Sequence, residues 1–281
     1  MDFARIFIQA LIKDINFESE VTYMKVVTFN IRCDYNQDGD NNFQNRKDYI
    51  LKKLEKENAD LVCFQEVLPH VASWLKENLK DYYILGCGRE KDLKGEQNSV
   101  AIKKEKFQLI SMNTFWLSLT PDIPGTRYEK QSMCPRSVTE LFLQDLETEK
   151  LYYLLNTHLD HEGSEARVLG MKQILNHMKK VVEQKEQAGY GKIEMILTGD
   201  FNGYPDSPEI QLIEKSNFLR DLTLGMEGTF HDFGRMEPPE KIDYIVVSSG
   251  LQCSKRELWK DCENGVYLSD HYPVSVVLEN I

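Results

Sequence analysis

Six times along this chain an apolar, strand-like run meets a side chain able to do chemistry. Asn30 lies at the end of the run 25–31, and Glu66 ends Asp60–Glu66. His158, with Asp160 two places on, follows Leu151–Thr157; Asp200, with Asn202, follows Ile193–Thr198. Asp243 and the pair Asp270–His271 stand at the heads of two more runs, Ile242–Ser248 and Val274–Leu278. One Asp after a strand is ordinarily a turn or a helix cap. Several strand ends on one rim would instead converge their carboxylates, and like charges that close repel unless a cation sits between them. A set rich in oxygen donors, without Cys and with few His, suits a hard ion, Mg²⁺ or Mn²⁺.

Helical spacing predicts helices over Arg46–Asn58, Pro69–Lys80, Glu162–Lys185 and Ser207–Ser216. Further strands are predicted at 82–85, 98–102, 107–110 and Ser137–Leu143. Strands follow one another without helices in 82–118 and 137–157. The sheets are therefore antiparallel or mixed, not purely doubly wound. The expected fold is a single α/β domain over residues 24–281, two packed sheets flanked by helices. Residues 1–23 form an extension, either a short amphipathic helix or a stretch upstream of a natural start at Met24. Residues 118–136 carry Pro121, Pro124, Gly125 and Pro135 and read as one long loop, a length associated with function or disorder. Arg127, Lys130 and Arg136 on this loop are expected to act together on one localised phosphate.

The formal net charge is −11. That disfavours a polyanionic partner, because nucleic-acid affinity comes largely from Lys and Arg neutralising phosphates. Six cysteines, none in C-x-x-C spacing, read as reduced thiols of a cytoplasmic protein. No apolar run reaches the roughly 20 residues of a membrane span, so no membrane partner is expected.

The segments Thr28-Phe-Asn30, Phe64-Gln-Glu66, Asn156-Thr-His158-Leu, Thr198-Gly-Asp200-Phe-Asn202, Ile242-Asp243-Tyr and Ser269-Asp270-His271-Tyr-Pro resemble the endonuclease/exonuclease/phosphatase superfamily, of DNase I-like fold. Trp116-Leu-Ser-Leu-Thr-Pro, Asn156 to His161 and Gly228-Thr-Phe are most similar to its bacterial metal-dependent hydrolase branch. The resemblance implies a four-layer α/β sandwich and metal-dependent hydrolysis of a phosphate ester. It implies a metal held by Glu66 with Asn30 and Asp270 beside it. Asp200 would orient or deprotonate the attacking water, and Asn202 would position the phosphate. His271, held by Asp243, would contact phosphate oxygens that gain charge, with His158 opposite and Glu96 behind His158.

The expected activity is Mg²⁺-dependent hydrolysis of a small phosphorylated metabolite such as a sugar phosphate. The alternative is an endonuclease or exonuclease using the same site, which would need a basic, aromatic-lined groove. A phospholipid phosphodiesterase lacks an insertion segment here. A scaffold without activity is disfavoured because every expected position holds a competent residue. Among the remaining residues, Asp160 and His161 read as ligands or as caps of the following helix. Arg136 reads as facing the site, and Arg167 as a structural ion pair. Trp74 and Trp259 read as packing, and Trp116 as packing or pocket lining. Lys103, Lys104 and Lys106 read as a solvated face.

Overall fold

The computed structural model describes residues 22–280. Readings that concern residues 1–21 lie outside the described residues; Thr22 and Tyr23 already pair with Asn280 and Glu279. One six-stranded sheet contains β1 (Thr22–Asn30), β2 (Leu61–Gln65), β3 (Tyr82–Leu85) and β4 (Val100–Lys103), with β11 (Gln252–Leu258) and β14 (Val274–Asn280). Its order is β11-β14-β1-β2-β4-β3. The other contains β5 (Phe107–Trp116), β6 (Ser137–Asp145), β7 (Leu151–His158), β8 (Ile193–Asp200), β9 (Leu219–Asp221) and β10 (Asp243–Ser248), in the order β5-β6-β7-β8-β10-β9. A small pair, β12 (Cys262–Glu263) and β13 (Val266–Tyr267), stands apart. Only β1–β2 and β7–β8 are parallel, so both sheets are mixed.

Alternation along the strands builds the layers. In β1 and β2, Met24, Val26, Leu61 and Cys63 join Leu141, Tyr152, Leu154 and Ile196 in the core between the sheets. The alternate residues Val27, Phe29, Val62 and Phe64 face outward and pack under α1 (Phe43–Glu57) and α2 (Pro69–Asn78). On the far side, α3 (Ser164–Lys185) and α4 (Pro208–Lys215) cover Tyr153, Leu155, Leu197 and Tyr244. All eight residues of β7 are buried, as strands covered on both faces must be. The result is a four-layer sandwich of helices, sheet, sheet, helices.

Polar residues stitch the sheets together just beneath one edge. Gln65 Nε2 donates to Asn156 Oδ1 at 2.8 Å and to Thr28 Oγ1 at 3.1 Å, and Asn156 Nδ2 donates to the Phe64 carbonyl at 2.8 Å. The structure adds the short strands β9, β12 and β13 to the expected elements, starts α1 at Phe43 instead of Arg46, and departs further in β5 and β11. β5 runs to Trp116 instead of stopping at 110, because β6 pairs with it as far as Trp116↔Ser137 and supplies backbone partners where the side chains are exposed. β11 is a polar edge strand whose Lys255, Arg256 and Glu257 hide the strand pattern and discourage edge-to-edge pairing. Lys103 also departs from the solvated reading: it is buried at the end of β4, with Asp60 and Glu105 within 4 Å. Trp259 is fully buried, Trp74 packs edge-on against Phe43, and the six cysteines are free thiols. Among the described residues, no helix is long and apolar enough to cross a membrane.

Candidate active site

Strand register brings the chemistry to one rim. His158, Asp200 and Asp243 lie side by side across β7, β8 and β10, since His158 pairs with Asp200 and Asp243 pairs with Asp200. Asn30 ends β1, and Glu66 follows β2 in a left-handed conformation (φ 63°) that turns its carboxylate back over the rim. Asp270 and His271 arrive on the approach to β14. Of these residues Glu66, His158, Asp200, Asp270 and His271 line a cleft of about 500 Å³, and Asn30 and Asp243 stand behind them.

Contacts within the rim are close. Asn30 Nδ2 donates to Glu66 Oε1 at 2.9 Å and to Asp200 Oδ2 at 3.0 Å, while the second Glu66 oxygen accepts from the Cys33 N–H at 2.8 Å. His271 Nδ1 lies 2.8 Å from Asp243 Oδ2, and its Nε2 faces Asp200 Oδ2 at 3.8 Å. His158 Nε2 is 3.5 Å from that same oxygen. Asn202 donates its backbone N–H to Asp200 Oδ1 and its side-chain amide to the Leu159 carbonyl.

Burial and neighbouring charge set the protonation states. Burial alone would lower His271, but Asp243, Asp270 and Asp200 outweigh it and push the imidazole up to about 10. His158 goes the other way, well below its ordinary value, through burial reinforced by Arg136. Asp200 is pushed up to about 7 by burial and by Asp243. Burial opposes ionisation of Glu66, yet the Asn30 and Cys33 hydrogen bonds and the charged His271 hold it well below the usual carboxylate range.

The donor set fits a hard cation. Single donor atoms of Glu66, His158 and Asp200 lie within 4.8 Å of one another, as do those of Asp200, Asp243 and His271. Buried carboxylates this crowded favour a cation between them, and one Asp243 oxygen is buried without a hydrogen-bond partner. The triad expected from the resemblance is less direct. Asn30 presents its NH₂ to the carboxylates, its Oδ1 accepting from the Arg32 N–H, so ligation through oxygen requires the amide to turn. Asp270 lies outside both close groups, with Arg32 Nη1 at 3.3 Å.

Other expectations need correction. Glu96 does not hold His158. It forms a fork with Arg89 (2.7 and 3.0 Å), because the backbone pairs Arg89 with Glu96 across a turn and a partner seven residues away is the nearest available. The Nδ1 of His158 has no hydrogen-bond partner among the described residues. Of the loop's basic residues only Arg136 borders the cleft; Lys130 pairs with Glu165 at 2.7 Å and Arg127 binds the carbonyls of Gln131 and Ser132. Trp116 is buried with its Nε1 on the Arg89 carbonyl and does not line the cleft. Asp160 is not the cap of α3, which starts from Gly163 without a side-chain cap; it accepts from the Gly163 N–H at 2.7 Å and from the N–H and hydroxyl of Ser132, so it pins the long loop to the start of α3. Gly125, at φ 76°, lies so close to Lys91 that an added Cβ would sit 2.7 Å from its nitrogen. The loop thus packs against the 89–96 turn on the Arg136 side of the cleft. Arg167 pairs with Glu209, as read from its place in the helix, and also borders the cleft. Arg32 and Arg89 border it too, and no sequence pattern marks them.

Two six-stranded mixed sheets with a carboxylate-imidazole rim define a class of phosphoesterase hydrolases. The chain belongs to the endonuclease/exonuclease/phosphatase family, whose model matches residues 27–271. It is similar to a family protein from Bacteroides vulgatus, with 33% identity over 92% of this chain and 100% of the other, and a TM-score of 0.85. A conserved protein from Enterococcus faecalis is 30% identical over 91% of this chain and 99% of its own, with a TM-score of 0.81. A mannosyl-6-phosphatase from Bacteroides thetaiotaomicron is 25% identical, covering 91% of this chain and 99% of its own, with a TM-score of 0.79. Members of this family generally use a divalent metal.

Proposed function

We propose that this protein is a Mg²⁺-dependent phosphatase of small phosphorylated metabolites, a sugar phosphate among them. The observation that carries this reading is the shape of the cleft: about 500 Å³, with the carboxylate-imidazole rim along it and the loop 117–136 fastened beside it. That volume is typical of small-molecule sites. The likeness to a mannosyl-6-phosphatase supports the same reading, and a net charge of −11 argues against a polymer substrate.

In this reading Glu66 would hold the metal, with Asn30 beside it once its amide turns and Asp270 next to them against Arg32. When bound, the ion supplies Lewis-acid polarisation of the phosphoryl oxygens and lowers the pKa of a bound water. The chain's own residues do the rest. Asp200 orients the attacking water and takes its proton as the new P–O bond forms; the bond to the leaving oxygen breaks, and that oxygen takes a proton from solvent. His271, kept charged by Asp243, donates from Nε2 to phosphoryl oxygens that gain charge. His158, uncharged, faces the same group from the other side, and Asn202 positions the phosphate. Groups fixed in advance at developing charge are each worth about 10²–10³ in rate.

A substrate panel tests this. Purified protein with Mg²⁺ should release inorganic phosphate from small monoesters, with modest salt dependence, and should nick plasmid weakly under the same conditions. Efficient plasmid cleavage without phosphate release from any small monoester would replace this reading with the nuclease alternative.

A further inference from the structure

Four arginines border the cleft: Arg32, Arg89, Arg136 and Arg167. Three are matched to carboxylates by direct hydrogen bonds. Arg32 forks onto Asp38 (both contacts 3.1 Å), Arg89 forks onto Glu96, and Arg167 Nε donates to Glu209 at 2.5 Å. Arg136 differs. It is the most buried of the four, at 3% exposure. Its Nη2 donates to an imidazole, His161 Nδ1, at 2.8 Å. The carboxylate nearest to it, Asp160, is 3.6 Å from Nε, beyond a hydrogen bond, and already accepts from Ser132 and Gly163. Nε and Nη1 are buried and have no hydrogen-bond partner among the described residues. A buried guanidinium without a bonded anion is costly unless something brings one.

We propose that Arg136 selects phosphate monoesters over diesters by binding the third terminal oxygen of the phosphoryl group. The proposal rests on the phosphoesterase reading of this site and names its substrate class. A monoester phosphoryl group has three terminal oxygens and carries close to two charges at neutral pH. A diester has two terminal oxygens and one charge. His271 Nε2 and Asn202, the groups given to the phosphate above, would serve two oxygens in either case. On the side of His158 and Arg136, a monoester offers a third charged oxygen and a diester offers an ester oxygen that accepts weakly. Arg89, locked onto Glu96, cannot take this role without giving up its fork. Arg136 keeps its His161 contact when it binds, because Nη2 has a second hydrogen; Nε and Nη1, unsatisfied but buried, leave the guanidinium short of an anion. Planar, multi-hydrogen recognition of phosphate is what a guanidinium does best.

Two substrates with one leaving group test this on the full chain with Mg²⁺: p-nitrophenyl phosphate and methyl p-nitrophenyl phosphate. Wild type should favour the monoester in kcat/KM. Arg136→Met, similar in bulk, should lower the monoester-to-diester ratio by about 100-fold. Arg136→Lys, which keeps the charge but not the fork, should recover part of that loss. Equal losses on both substrates, with the ratio unchanged, would overturn the proposal. A titration with inorganic phosphate and dimethyl phosphate reads binding without turnover. Arg136→Met should weaken inorganic phosphate by about tenfold or more relative to dimethyl phosphate; unchanged relative affinity would refute selection by Arg136. Wild type that binds phosphate but hydrolyses neither ester would count against the phosphatase reading alone. The titration would then still decide the role of Arg136.

Discussion

Removing the Asp160 carboxylate should loosen the loop and the site together. Asp160 is 2% exposed. It accepts from the Ser132 N–H at 3.1 Å, the Ser132 hydroxyl and the Gly163 N–H at 2.7 Å, and it is the only carboxylate within 4 Å of Arg136 among the described residues. Asp160→Ala leaves two backbone N–H groups without acceptors, each costing about 1–3 kcal/mol when buried, and strips a buried guanidinium of its nearest anion. Breaking a buried charge arrangement costs about 3–5 kcal/mol, and the two estimates overlap, so about 3–5 kcal/mol is expected in total. Against a typical domain stability of about 5–15 kcal/mol that is a large fraction. At about 2–4 °C per kcal/mol for a chain of this size, the melting temperature should fall by about 6–20 °C. Burial raises the Asp160 pKa, but the Ser132 and Gly163 hydrogen bonds and Arg136 outweigh it, so the folded value lies below the ordinary one. The contribution is therefore complete above the unfolded pKa of about 3.9 and is lost as pH falls through the folded value. Denaturant unfolding of wild type and variant should show the difference at neutral pH and its shrinkage below about pH 4. A variant melting within about 2 °C of wild type at pH 7 would refute this account of the loop.

Three further outcomes are expected. EDTA should abolish hydrolysis and Mg²⁺ or Mn²⁺ should restore it, because the Glu66 and Asp200 carboxylates converge with His158; full turnover in chelator would contradict a metal role. Glu66→Gln should cut metal-dependent turnover by about 100-fold or more while keeping an acceptor for the Cys33 N–H. Glu66→Ala should also lower the melting temperature of metal-free protein, since this carboxylate is stabilised where it sits; wild-type turnover in either at saturating Mg²⁺ would exclude Glu66 as a ligand. His271→Ala and Asp243→Asn should not add, because Asp243 acts through the 2.8 Å contact to His271; additive losses in log rate would separate them.

The rim was legible because strand periodicity carries it. Asn30, Glu66, His158, Asp200 and Asp243 fall where apolar runs begin or end, and register then sets His158, Asp200 and Asp243 in one row. A one-residue slip would turn every core side chain of those strands the wrong way, so the row is fixed by the same pattern that builds the core. The residues beside the rim obey no such rule. Gln65 and Asn156 stand inside the quoted segments, yet their visible work is to join the sheets beneath the site, which needs both sheets in place. Glu96 was assigned to His158 by resemblance, and a partner seven residues away took it instead. Arg136 stands one residue before β6 and faces the site as its place in the sequence suggests, but its want of a bonded anion follows from Asp160 being taken by Ser132 and Gly163 and Glu96 by Arg89. The Gln65–Asn156 and Ser132–Asp160 contacts join segments distant in sequence, and the Arg89–Glu96 fork, though local, follows no strand or helix period. The reacting group is thus set by short-range pattern, whereas the residues that choose the rest of the substrate depend on which long-range partners were left over.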